Sequence, residues 1–189
     1  MPRPKTYNPD HALDAAMRVF WRNGFEGASY GDLTRATGVG RKGLYATFGD
    51  KHSLFVKALQ RYRGTTALAI LEGLDAPDAG PDAIRTVFET VAALAKSPDG
   101  ATGCFMANTA TDPAVAQAEV ARQVALHLDR TSARFRAPLL RAGLSAARAA
   151  ALADHLTGLL QGLFVLARAR ARHDMIDAHV REGLRALPA

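Results

Sequence analysis

Cysteine is almost absent from this 189-residue chain. Its single thiol, Cys104, excludes an intrachain disulfide and a cysteine-based zinc finger. Runs of β-branched residues are nearly absent as well, while alanine is abundant, a balance that favours helix over sheet. No stretch reaches the roughly 18 unbroken apolar residues of a membrane span. The opening Met-Pro-Arg-Pro-Lys is basic but leads into no apolar signal core, so the expectation is a soluble, cytoplasmic protein. Metal-ligand spacing, a glycine-rich phosphate cradle and a nucleophile elbow are all missing, so no metal and no cofactor is expected. Cys104 paired with His127 or His155 is the one arrangement that leaves a thiol-dependent enzyme open.

What is present is 48% hydrophobic residues, enough for the core of one compact domain or of a small domain attached to a larger one. The charge is unevenly placed. Residues 1–63 carry eleven Lys/Arg and five Asp/Glu, whereas residues 64–189 carry thirteen of each. The net charge of +6 therefore lies wholly in the first third. That is the footprint of a polyanion-binding head on a neutral body. A membrane surface fits less well, because no basic helix carries a wide apolar face.

The pattern along the chain is all-α, with about nine helices and no strand signal. Asn8-Pro9-Asp10 combines a cap, a first-turn proline and a favourable acid, and Leu13, Ala16, Met17 and Phe20 follow on one face. Asn23-Gly24 ends this helix. Ser29 with Asp32 reads as a capping box for a second, short helix that breaks at Gly38. A third runs from Arg41 to about Phe48, with Leu44 and Phe48 inward. Asp50 caps a long fourth helix to about Gly73. A fifth opens at Pro81, and a short sixth covers about Gly103 to Thr111. Asp112-Pro113 opens a long seventh, with Pro138 as a kink point. Ser145 caps an eighth to about Ala171, and a ninth spans about Asp174 to Leu187.

Two short helices joined by a glycine-containing turn form a helix-turn-helix, whose second helix enters the DNA major groove. Arg41, Lys42 and Tyr45 share its outward face, with Thr47 beside them. Guanidinium and ammonium groups donate to guanine edges or phosphates, and hydroxyls suit phosphate oxygens. Gly43 permits close backbone approach. Ser29 and Tyr30, and likewise Lys51, start helices whose N-terminal dipoles favour a phosphate.

Residues 8–62, and above all Gly38-Val39-Gly40-Arg41-Lys42-Gly43-Leu44-Tyr45-Ala46-Thr47-Phe48-Gly49-Asp50-Lys51, resemble the tetracycline-repressor (TetR) family. Gly103-Cys104-Phe105-Met106-Ala107-Asn108-Thr109-Ala110 resembles a segment shared by one branch of it. Gly40 departs from the family, which usually carries Ser or Thr there to cap the recognition helix. Such a loss typically costs only a few tenths of a kcal/mol, so it bears on operator preference more than on binding.

The resemblance implies a DNA-binding head, residues 1–50, and a ligand-binding and dimerisation body, residues 51–189. It implies a palindromic operator, a homodimer through the eighth and ninth helices and a small-molecule effector. Independently, Leu159-Leu160-Gln161-Gly162-Leu163-Phe164-Val165-Leu166 is apolar nearly all round and needs neighbours on two sides. Two heads on a palindrome would sit about 34–36 Å apart or a multiple of that. Candidate effector-pocket residues are Phe88, Cys104, Phe105, Met106, Asn108, Thr109, His127, His155, Gln161 and Phe164, each of the aromatics and Met106 equally readable as plain core. Asn108 either meets a ligand or bonds neighbouring backbone. Cys104 is either an inert buried thiol or a sensor of electrophiles and oxidants. A structural DNA-binding protein with no effector is a further alternative.

Overall fold

The structure, a computed structural model, describes residues 7–188. The basic Met-Pro-Arg-Pro-Lys stretch lies outside them. All regular elements among the described residues are helical.

Helix α1 (Pro9–Gly27) begins as its sequence dictates. The Asn8 side chain accepts from the backbone N–H groups of Asp10 and His11, and Pro9 fills the first turn. The helical path breaks at Gly24, where φ is 71°. Helix α2 (Tyr30–Thr37) carries the expected reciprocal capping box between Ser29 and Asp32. It stops at Gly38, which adopts a left-handed conformation (φ 68°) that a β-carbon would strain. Helix α3 (Arg41–Phe48) starts at Gly40 without a side-chain cap. Its last turn is closed from outside by Lys57 Nζ, which donates to the Phe48 carbonyl at 3.1 Å.

Helix α4 (Lys51–Gly64) fastens this three-helix unit. Phe20 and Phe55 meet edge to face at 5.1 Å, a geometry worth about 0.5–1.5 kcal/mol beyond simple burial. The Arg61 guanidinium donates to both Asp14 carboxylate oxygens, at 2.8 and 3.0 Å. The long fourth helix expected from periodicity is interrupted. α4 ends at Gly64, and α5 (Thr66–Leu71) restarts after Thr65, whose φ/ψ of −125° and −86° are not helical. Gly64 and the β-branched Thr65 and Thr66 supply little helix propensity against that break.

The remainder is a helical layer around α8 (Ala118–Arg141) and α9 (Ala146–Arg168), which fold back on each other as a hairpin. α6 (Pro81–Ala95) and α10 (His173–Gly183) pack on α9. Asp112 does cap, but only a single 3-10 turn, Pro113–Ala116, and the long helix starts at Ala118. Pro138 is accommodated inside α8 near its end. α9 has the length and average apolarity of a membrane span, although Asp154, His155, Thr157 and Gln161 keep it from being an unbroken apolar run. Leu152, Leu156, Leu160 and Leu163 bury their side chains against neighbouring helices, as in a core helix.

Between the two groups lies α7 (Phe105–Ala110). Phe105 is 1% exposed. It packs on Phe55 and Tyr62 of α4, both at 5.7 Å, and on Trp21 of α1 at 6.4 Å. Trp21 Nε1 donates to the Gly103 carbonyl at 3.2 Å. The Asp112 carboxylate accepts the Phe25 N–H at 3.0 Å, and so takes up a donor left free by the Gly24 break. A β-carbon on Gly24 would lie 2.6 Å from that carboxylate.

Candidate nucleic-acid interface

The outward face of α3 is a small, ordered cationic surface. Arg41, Lys42 and Tyr45 are exposed, while Leu44 and Phe48 are buried beneath them. Arg41 does not hang free. Its guanidinium lies 4.1 Å from the centre of the Tyr30 ring. Tyr30 stacks on Tyr45 at 5.5 Å and donates its hydroxyl proton to the Tyr45 oxygen at 2.6 Å. The hydrogen bond that Arg41 donates, then the one from Tyr30, pulls the Tyr45 phenol below its usual range. Burial, then the Tyr45 contact, pushes the Tyr30 phenol up. The cluster holds one guanidinium in a fixed fork, which suits bidentate recognition of a base edge or a phosphate. Lys42 is exposed and has no such support among the described residues.

The other expected contact residues are placed as follows. Ser29 Oγ donates to Asp32 Oδ2 at 2.6 Å and accepts from Asp32 N at 3.1 Å, so its hydroxyl is occupied. Lys51 Nζ sits 4.6 Å from the centre of the Phe25 ring at the start of α4. Gly43 and Thr47 face Tyr7, a residue that periodicity did not single out because it precedes the first cap. The Tyr7 hydroxyl donates to the Gly43 carbonyl at 3.1 Å and shares a short hydrogen bond with the Thr47 hydroxyl. A β-carbon at Gly43 would come within 2.8 Å of Val39, so packing alone explains glycine there.

The candidate pocket residues do not converge on one chamber. His127 lines a groove of about 290 Å³ between the α4–α5 arm and α8. Phe164 lines a second cavity of about 220 Å³ with Trp21 and Gly103. Phe88 is core, stacked on Phe135 at 5.8 Å. Cys104, Phe105 and Met106 are buried. The Asn108 amide donates to the Thr102 carbonyl at 2.9 Å, which is the backbone alternative left open above. Thr109 donates to the Phe105 carbonyl. His155 is exposed on α9 and lines neither cavity.

Cys104 Sγ lies 4.0 Å from His127 Nε2. Burial pushes the thiol up, away from the thiolate that a sensor or nucleophile needs. Burial, and then the Arg63 charge, lowers the His127 pKa to about 4 and keeps the ring neutral near pH 7. A neutral imidazole beside a protonated thiol is not an activated pair.

Both amide atoms of Gln161 are buried with no hydrogen-bond partner among the described residues. An unmet buried amide is destabilising, so Gln161→Leu should gain about 1 kcal/mol, read as a rise of about 2–4 °C in thermal midpoint. A fall instead would mean that the amide is satisfied in solution.

Two short helices, a left-handed glycine corner and a supported cationic face on the second helix define the class: a helix-turn-helix DNA-binding protein. The comparisons with known proteins specify it further. Residues 12–58 match the family model for bacterial regulatory proteins of the tetR family. Residues 81–182 match that for the C-terminal domain of LmrA/YxaF-like transcriptional regulators. The chain is 30% identical over 186 residues to the HTH-type regulator YezE of Bacillus subtilis (strain 168), covering 95% of this chain and 96% of that one. It is 38% identical over 110 residues to the transcriptional repressor ComR of Escherichia coli (strain K12), covering 58% and 52% of the two chains. A cysteine mutant of the TetR-family regulator CifR, solved with 26-bp double-stranded operator DNA, superposes with a TM-score of 0.83 at 30% identity, over 98% of this chain and all of that one. The chain belongs to the tetR family and is a DNA-binding transcriptional regulator.

Proposed function

We propose that the protein is a cytoplasmic, non-enzymatic repressor that holds a palindromic operator as a homodimer and releases it when a small molecule binds among the C-terminal helices. The observation that carries the DNA half is the α3 face, where Arg41 is braced by Tyr30 and Tyr45 beside an exposed Lys42. Arg41 and Tyr45 supply directed contacts, Lys42 and Lys51 serve phosphates, and α2 contributes its N-terminal end at Tyr30 rather than the Ser29 hydroxyl, which Asp32 occupies. Gly43 and Thr47 support α3 through Tyr7. The division lies near residue 50, with the recognition unit before it and the sensing and pairing unit after it. The operator-bound CifR complex and the repressor ComR support this reading by kinship.

Pairing through α9 and α10 is supported by what those helices leave outside. Val165 is 55% exposed and Met175 45%, although both belong to apolar or half-apolar helices. Sedimentation of the intact protein tests it, and a monomer at micromolar concentration would refute it.

Titration of DNA from the protein's own upstream region tests the interface. Arg41→Ala should weaken binding by about 5–150-fold, the effect of about 1–3 kcal/mol at a directed contact. For Lys42→Ala the salt slope should fall by about one if the ammonium meets a phosphate, or sequence preference should relax if it meets a base. Unchanged affinity and slope in both variants would remove α3 from the interface.

A further inference from the structure

The groove between the α4–α5 arm and α8 combines apolar walls with an unbalanced charge. Ala67 and Leu71 of α5 supply apolar lining, and Arg63 of α4 and Arg130 and His127 of α8 line it too. Among the described residues no Asp or Glu lines it. Arg134 also borders the groove, but Asp75 holds its guanidinium at 2.7 Å. Arg63 and Arg130 have no carboxylate within salt-bridge distance among the described residues. Arg63 instead donates to the neutral Gln123 Oε1 at 2.6 Å. The acid behind Gln123, Glu119, is already engaged by both donors of the Arg122 fork, at 2.8 and 2.9 Å. Burial, then the nearby charges of Arg130 and Arg122, pulls the Arg63 guanidinium below its usual range. A partly buried cation among cations is costly until an anion joins it. The neutral His127 adds no competing charge.

From this arrangement we propose that the groove is the effector site and that it takes a small organic anion, an oxyanion head of the carboxylate class clamped by Arg63 and Arg130 with an apolar body against Ala67 and Leu71. The inference rests on the effector-responsive reading given above and names the ligand's chemistry. The site straddles the break at Thr65, so its occupant touches the last turn of α4 and the first of α5 together. Arg63 follows Tyr62, which meets Trp21 of α1 edge to face at 4.9 Å. A head group drawn between Arg63 and Arg130 pulls the end of α4 toward α8, and the Tyr62–Trp21 contact carries that shift to the recognition unit.

The test uses the intact protein with octanoate and benzoate, their neutral partners octanamide and benzamide, and inorganic phosphate. Binding is read by thermal midpoint and by emission of Trp21, the only tryptophan. A carboxylate should raise the midpoint by about 5 °C or more at about 100-fold excess over its Kd, and its amide should not. Arg63→Met and Arg130→Met should each weaken carboxylate binding at least about tenfold. Arg136→Met, on α8 outside the groove, should leave it intact. Arg130 is exposed, so its variant remains informative if loss of Arg63 impairs folding. Amides that bind as well as acids, phosphate alone that binds as well as octanoate, indifference to both arginine substitutions, or no response to any carboxylate would each overturn the proposal. A gel shift on upstream DNA separates it from the broader reading. Carboxylate binding without DNA release leaves the anion site standing and sinks the effector role. Release by a neutral compound, with no carboxylate bound, does the reverse.

Discussion

Phe105→Ala should lower stability by about 3–5 kcal/mol, the cost of deleting a buried aromatic ring whose surroundings cannot collapse onto the space. In a chain of this size that corresponds to a fall in thermal midpoint of about 10 °C. The ring lies where three elements meet, with Phe55 and Tyr62 edge-on and Trp21 roughly parallel, so no single helix can move in to fill the void. Trp21 emission should shift to the red as its stacked face loses cover. Phe105→Leu should cost clearly less, because most of the volume remains. A midpoint within 2 °C of the parent for the alanine variant, by about the smallest loss a kcal/mol would give, would show that the cluster does not brace the fold.

The second large effect is one of pH. The folded state holds His127 neutral, with a pKa of about 4. The unfolded chain protonates an ordinary histidine near pH 6.5. Between these values the unfolded state binds more protons, so stability falls as pH drops. The contribution is fully present above about pH 6.5 and is lost on descending toward pH 4, a total of about 3 kcal/mol. Urea midpoints measured from pH 7.5 to pH 4.5 should decline in the parent and decline less in His127→Leu. Asp32, Asp50 and Glu119 are held below their ordinary ranges by hydrogen bonds, so they too favour the folded state less at the acid end, and the difference between the parent and His127→Leu isolates the histidine's share. Equal declines in the parent and the variant would exclude His127 as the source.

Much of the molecule follows from local signals. Asn8, Ser29, Asp50 and Ser145 each cap the helix that their position announces, because a cap is a contact between residues two or three apart. The corner at Gly38 and the inward pair Leu44 and Phe48 are legible for the same reason. The break at Thr65 is not, since an apolar periodicity continues through it. Asp112 carried a cap signal, and the capped unit proved to be one turn rather than a long helix. What the pattern cannot supply is proximity between distant segments. Arg63 and Arg130 each read as an ordinary solvated helix residue, and only the packing of α4 on α8 makes them neighbours at one groove. Tyr7 is invisible by the same logic, as its partners lie 36 and 40 residues away. Asn108 stood out as a polar residue in an apolar stretch, and its partner, Thr102, lies only six residues back.

The break in α1 at Gly24 has a bearing on protein engineering. Beyond that point the helix end is secured by Asp112, and Trp21 just before it is secured by Gly103 and Phe105. A chimera that joins this recognition unit to a foreign sensor at residue 50, or at the Thr65 break, would carry both anchors' donors and none of their acceptors. Its helix α1 would end in an uncapped Phe25 N–H, and its Trp21 indole would lose its acceptor and its stacked partner. A portable version must bring residues 103–112 with it, or supply an equivalent acid and ring from the new sensor.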